Sequence, residues 1–180
     1  MQSMKTKKVL WGLVTVLMLA WVVLPAVAER GDDSKRKSKN GKVEGTVDGV
    51  AVTVEYGRPK VKDRTVWDAL VPYGKVWRTG ADEATTITLG QDAMIQGQKL
   101  AAGTYSLFTI PGETEWTVIF NSVAEQWGAY SYDESKDVLR VTAKPVSAEH
   151  QEELDFVIVE DGLHFRWAEL ALPITVASAG

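Results

Sequence analysis

The chain has 180 residues, with 20 basic and 24 acidic side chains, a formal net charge of −4 and no cysteine. An acidic balance speaks against a nucleic-acid binder, whose affinity comes largely from cations that neutralise phosphates. Without cysteine there are no disulfides and no thiolate metal sites, so the fold must rest on its own core.

At the N-terminus Lys5, Lys7 and Lys8 precede an uncharged apolar stretch from Val9 to Leu24, and Pro25-Ala26-Val27-Ala28 follows. A positive start, an apolar middle and small residues at the end are the three parts of a secretory signal peptide. The apolar stretch falls short of the roughly 20 residues a membrane-spanning helix needs. Residues 1–28 are therefore expected to be a signal peptide cleaved after Ala28, leaving no stable membrane span. The competing reading is an uncleaved anchor with Trp11 and Trp21 at the two interfaces. Cleavage takes away three lysines and no acid, so the mature chain carries a net charge near −7. Its expected location is the bacterial periplasm or the medium.

Residues 29–42, Glu29 to Lys42, contain no apolar side chain. Such a segment buries too little surface to offset its ordering entropy, and it reads as a flexible polar linker. Its Lys35, Arg36, Lys37 and Lys39 form a charge run of the kind that is usually solvated.

From Val43 the apolar period is two. Val52, Val54 and Tyr56 alternate with Thr53 and Glu55, and Trp116, Val118 and Phe120 with Thr117, Ile119 and Asn121. Leu154, Phe156 and Ile158, then Leu163, Phe165 and Trp167, repeat the pattern. Successive strand side chains point to opposite faces, so each run has a core face and a wetter one. Asp48-Gly49, Gln96-Gly97, Ala102-Gly103, Pro111-Gly112 and Asp161-Gly162 punctuate the runs. Asp-Gly between alternating runs is a strong hairpin signal, because both residues tolerate positive φ. Residues 43–177 are expected to form one all-β domain, an antiparallel β-sandwich of jelly-roll or open-barrel kind. About nine or ten strands are expected, with short helical turns at Val66–Leu70 and Ser122–Gln126.

One region breaks the alternation. Between Arg58 and Arg78 the cations Arg58, Lys60, Lys62, Arg64, Lys75 and Arg78 are interleaved with Trp67, Tyr73 and Trp77. Guanidinium forks and ammonium groups suit anionic oxygens, and flat aromatic faces suit sugar rings or cations. Two readings stand side by side. In one, Arg58, Lys60, Arg64, Trp67, Tyr73, Lys75, Trp77 and Arg78 form a cleft for a glycan or small anionic ligand. In the other, Arg78 pairs with Asp82 or Glu83, while Trp67 and Trp77 plug one end of the sandwich.

The run Leu70-Val71-Pro72-Tyr73-Gly74-Lys75-Val76-Trp77-Arg78-Thr79-Gly80-Ala81-Asp82-Glu83-Ala84-Thr85-Thr86, with Ala102 to Gly112 and Glu115 to Asn121, resembles an exported bacterial family called domain of unknown function 2911. Gln126-Trp127-Gly128, Asp137 to Val141 and Trp167 with Glu169 also resemble it, so the likeness spans about residues 45–176. It implies an extracytoplasmic β-rich domain and supplies no catalytic residues.

Little else points to chemistry. Two histidines, His150 and His164, without cysteine make a zinc site a poor expectation. No G-x-S-x-G elbow and no glycine-rich phosphate loop occurs, so neither a serine triad nor a nucleotide or other cofactor has support. Three carboxylates in Tyr132 to Asp137 suggest a solvated turn more than a calcium loop. The leading functional expectation is a non-catalytic binding or envelope-accessory domain. A second is a hydrolase on envelope or extracellular polymer, with Asp82 or Glu83 as general acid and Glu55, Asp68 or Glu115 as partner. A third is a structural protein whose exposed sheet edge pairs with another chain.

Overall fold

The computed structural model describes residues 30–180; the expected signal peptide lies outside them. Ten strands follow in order: β1 Lys39–Val47, β2 Val50–Arg58, β3 Thr85–Leu89, β4 Ala93–Ile95, β5 Gln98–Leu100, β6 Gly103–Ile110, β7 Trp116–Asn121, β8 Asp137–Ala143, β9 Val146–Val159 and β10 Gly162–Ser178. They form two antiparallel sheets, β1-β2-β3-β6-β7-β8 and β5-β4-β10-β9. The fold is all-β with almost no helix.

Turn chemistry sets the register. Asp48 (φ 45°) and Gly49 (φ 79°) lie in the left-handed region, and the flanking Val47 and Val50 pair directly. Gln96 (φ 48°) and Gly97 (φ 77°) repeat the device between β4 and β5. Positive φ at both central residues gives the turn a twist that matches the strands it joins. With register fixed, Val52, Val54 and Tyr56 of β2 face inward beside Leu89 and Ile87 of β3. From the other sheet Leu154, Phe156, Leu163, Phe165, Trp167, Leu172 and Ile174 meet them in one continuous core. At one sheet edge β1 lies against β9, where Gly45 sits under the Ile158 side chain.

The outer face of the six-stranded sheet is covered too. Ala84, Phe108 and Ile119 form a second small core with Val76, Ile110, Ala129 and Tyr132. The cover is the segment after β7, pinned by Ala84 N–H to Gln126 O (2.9 Å) and Gly128 N–H to Asp82 O (2.9 Å). This explains why Ile119 and Asn121, assigned to a wet face by alternation, are fully buried, as Ser106 is.

Three local expectations are corrected. Residues 66–70 form a wide turn closed by Val71 N–H to Val66 O (2.9 Å), with Asp68 at positive φ (58°), and not a helical turn. Residues 122–126 are irregular, and the one 3₁₀ turn among the described residues is Glu134–Lys136, capped by the Asp133 side chain. The segment read as a free linker is tied to the domain. Strand β1 begins within it, at Lys39, and Arg36 makes a two-pronged ion pair with Glu83 (2.5 and 2.7 Å). Arg30 reaches the carbonyls of Glu55 (3.1 Å) and Ala84 (2.5 Å). Charge-assisted hydrogen bonds replace the missing apolar anchor.

Candidate functional site

The aromatic residues of the irregular region take two different places. Trp67 lies edge-on to Trp77 (6.2 Å), Trp116 (5.0 Å), Phe165 (6.2 Å) and Trp167 (5.9 Å). Such a ring is packing, worth roughly 0.5–1.5 kcal/mol per aromatic pair beyond the area buried. Trp77 stacks on Trp167 at 6.0 Å and 17°. Its backbone exchanges both hydrogen bonds with Thr109 (2.8 and 2.9 Å), which fixes the chain just before Arg78.

The turn after Arg78 is rigid. Thr79 and Asp82 both hold positive φ (53° and 63°). Thr85 N–H donates to Arg78 O (3.1 Å), and the Thr85 hydroxyl donates to Thr79 O (2.8 Å). Gly57, near the end of β2, abuts the Ala81 backbone so closely that a Cβ would collide with the Ala81 carbonyl. Arg78 is thus presented by a turn pressed against a core strand.

What it faces is a cleft of about 480 Å³ whose lining includes Lys37, Lys60, Lys62, Arg64, Trp77, Arg78 and Trp167, with Asp82 as the one acid. No ion pair of Arg78 occurs among the described residues; neither Asp82 nor Glu83 holds it. Its Nε is dry and has no hydrogen-bond partner, and the same is true of Trp167 Nε1. Both atoms are donors only. A buried donor without an acceptor costs about 1–3 kcal/mol. Trp67 Nε1 and Trp116 Nε1 of the same aromatic cluster are left in the same way, so among the described residues Arg78 Nε is the one orphaned donor on this wall that is not an indole.

The remaining cations are partly engaged. Arg58 and Lys60 converge on Glu153 (2.5 and 2.9 Å), and the Lys60 hydrogen bond, outweighing burial, holds the Glu153 carboxyl below its ordinary value. Arg64 is folded back on the carbonyls of Val61 (2.9 Å) and Lys60 (2.5 Å), which presents its guanidinium at the rim. Of the eight candidate ligand residues, Lys60, Arg64, Trp77 and Arg78 line the cleft. Arg58 lies outside the lining and shares Glu153 with Lys60, and Trp67 lies among the packed rings. Tyr73, whose N–H meets Asp68 (3.2 Å), and exposed Lys75 lie outside the lining.

Lys37, Lys62 and Trp167 join the lining without having been singled out. Lys37 was hidden in a run that composition assigns to solvent. Trp167 continues the alternation of a strand, and only the tertiary fold brings this buried ring behind the wall of the cleft.

Asp82 and Glu83, the candidate general acids, are separated. Asp82 lines the basic cleft, whereas Glu83 points to the opposite side, against Arg36 and, at 3.5 Å, Arg30. Burial pulls the Glu83 pKa upward, but the Arg36 hydrogen bonds and the two positive charges outweigh it and the net shift is down. Glu83 is a carboxylate at neutral pH, the opposite of what a general acid requires. The Tyr132–Asp137 carboxylates are spoken for: Asp137 accepts from Tyr132 (2.6 Å), Asn121 (2.8 Å) and Arg140 (3.2 Å). Among the described residues no three His, Asp or Glu side chains converge as metal ligands, and no helix is long and apolar enough to cross a membrane.

Two antiparallel sheets around a shared core make an all-β domain, with a basic cleft beside an aromatic cluster. The chain belongs to the family described as Protein of unknown function (DUF2911), whose model matches residues 38–176. No curated protein and no solved structure matches it.

Proposed function

We propose that this protein is an exported β-sandwich binding domain that captures a small anionic ligand, such as an acidic or phosphorylated sugar, in the cleft at Arg78. The observation that carries the reading is the gathering of Lys37, Lys60, Lys62, Arg64 and Arg78 on one cleft with a single acid, joined by the buried, unpartnered Nε of Arg78. A carboxylate, sulfate or phosphate supplies only acceptors and meets one acid, Asp82. Trp77, stacked on Trp167 and half-buried, offers an edge or face for the ligand's apolar part. With residues 1–28 removed on export, the domain works in the periplasm or outside the cell as a binding or envelope-accessory module. With Glu83 held as a carboxylate, a hydrolase reading rests on Asp82 alone.

The test is calorimetric titration of purified protein with glucuronate, glucose 6-phosphate and sulfate, with neutral glucose for comparison. The anions are expected to bind, more weakly as salt rises. In the Trp77→Ala/Arg78→Met double variant that binding is expected to disappear while the circular dichroism spectrum stays β. Anion binding that survives in the folded double variant overturns the proposal.

A further inference from the structure

A second recess of about 300 Å³ opens on the outer face of the six-stranded sheet. Its floor is Glu55 of β2 and Thr86 of β3, neighbours in register. One wall is the Ala124–Trp127 segment, and Arg30 closes the top.

Two polar atoms on residues lining this recess make no hydrogen bond, and they are of opposite kind. The Arg30 side chain is more than nine-tenths buried, at 8% exposure. Its Nη2 is used by the carbonyls of Glu55 and Ala84, but Nη1 makes no hydrogen bond and only an ion-pair approach to Glu83 at 3.5 Å. Gln126 is oriented by its amide nitrogen, which donates to Val123 O (2.8 Å) and, at 3.3 Å each, to Ser106 Oγ and Asn121 Oδ1. That orientation leaves Gln126 Oε1 buried with no donor. A dry donor and a dry acceptor in one recess select the chemistry of the guest. A hydroxyl both accepts and donates. A carboxylate offers no proton to Gln126 and would sit among Glu55, Glu83 and Glu125. An ammonium offers no lone pair to Arg30.

Trp127 stands at the mouth, 58% exposed, with the Arg36 guanidinium 5.9 Å over its ring. Flat aromatic surface beside hydroxyl-sized hydrogen-bonding positions matches the C–H face and hydroxyls of a sugar ring, and the volume lies at the lower end of small-molecule pockets.

We infer that this recess is a second binding site, for a neutral sugar ring whose hydroxyls bridge Arg30 Nη1 and Gln126 Oε1 while the ring packs on Trp127. The inference is independent of the anion cleft, with which it shares no residue. The two recesses lie on either side of the Asp82-Glu83 turn, Asp82 lining one and Glu83 the other.

Saturation-transfer NMR on purified protein with glucose, galactose and N-acetylglucosamine, and glucuronate for contrast, tests it. At least one neutral sugar is expected to receive transfer. Trp127→Ala is expected to weaken that binding about tenfold, with Trp127→Phe retaining part of it. Because Trp127 is exposed, both variants are expected to melt where the parent does. Arg78→Met is expected to leave the neutral-sugar signal untouched. Three results overturn the inference. One is silence from all three neutral sugars, which leaves the two atoms to water. The others are transfer that Trp127→Ala does not weaken, and transfer that Arg78→Met abolishes, which would place the sugar in the basic cleft.

Discussion

Replacing Gly57 with alanine tests how the anion cleft is built. The glycine sits near the end of β2 with ordinary negative φ, so backbone freedom is not the reason for it; space is. A Cβ at this position would overlap the Ala81 carbonyl oxygen and lie 2.8 Å from the Ala81 carbonyl carbon and 3.1 Å from its Cα. The obstacle is backbone, held by Thr85 N–H on Arg78 O and by Gly128 N–H on Asp82 O, so no side-chain rotation relieves it. Overpacking of this kind costs about 1–3 kcal/mol, and a backbone obstacle places Gly57→Ala toward the upper end. For a domain of this size each kcal/mol moves the melting temperature roughly 2–4 °C, which puts the expected drop at roughly 4–12 °C. Gly31→Ala is the control. Its nearest neighbour is the Arg36 guanidinium at 3.6 Å, and it is expected to stay within about 0.5 kcal/mol of the parent. Urea denaturation gives the free energies, and calorimetric titration with glucose 6-phosphate gives the affinity. Gly57→Ala is expected to lose both stability and affinity, because the strand pushes the turn that carries Arg78. A variant that unfolds with the parent and binds like it refutes the placement of that turn.

Trp67→Ala is expected to cost about 3–5 kcal/mol, since four aromatic neighbours lose a partner, and denaturation measures it. A stable variant that has lost only ligand binding would return Trp67 to the site. Glu83→Gln is expected to release residues 30–38, read as faster tryptic cleavage at Lys35, Arg36 and Lys37, with β hydrogen-exchange protection retained. In the parent, Glu83 has a folded pKa below its unfolded value of 4.5. Its contribution is therefore present above that value and is lost as pH falls through the depressed one, so the amides of residues 30–38 are expected to lose hydrogen-exchange protection on acidification below pH 4.5. His150 runs the other way. Hydrogen bonds to Glu169 and then Glu152 raise its pKa above 6.5, so its contribution is full below 6.5 and is lost as pH rises through the raised value. The stability difference between parent and His150→Gln is expected in urea melts near pH 5.5 and not near pH 9.

The strands were legible where side chains alternate and turns are tight, as at Asp48-Gly49 and in Trp116–Phe120. Long-range cover was not. Nothing local in Ile119 or Ser106 tells that the 122–132 segment folds over them. The first half of β9 carries Glu149, His150, Gln151, Glu152 and Glu153, which hide a strand that β10 pairs along its length, with irregular register around Ala168. The Arg30–Lys42 stretch looked solvated because composition registers burial but not an ion pair 47 residues away. Charge clustering gathered Lys60, Arg64 and Arg78, which share the lining of one cleft. It also swept in Tyr73 and Lys75, because neighbours in a loop need not share a wall.

Arg78→Met tests directly whether the buried, unpaired Nε of Arg78 serves a ligand. Methionine keeps length and apolar stem while removing the orphaned donor, so melting temperature and glucose 6-phosphate affinity should move apart. The expected result is a domain at least as stable as the parent, by up to about 1 kcal/mol, that no longer binds the anion. A variant that loses stability and keeps its affinity would make Arg78 a structural residue and contradict the central claim.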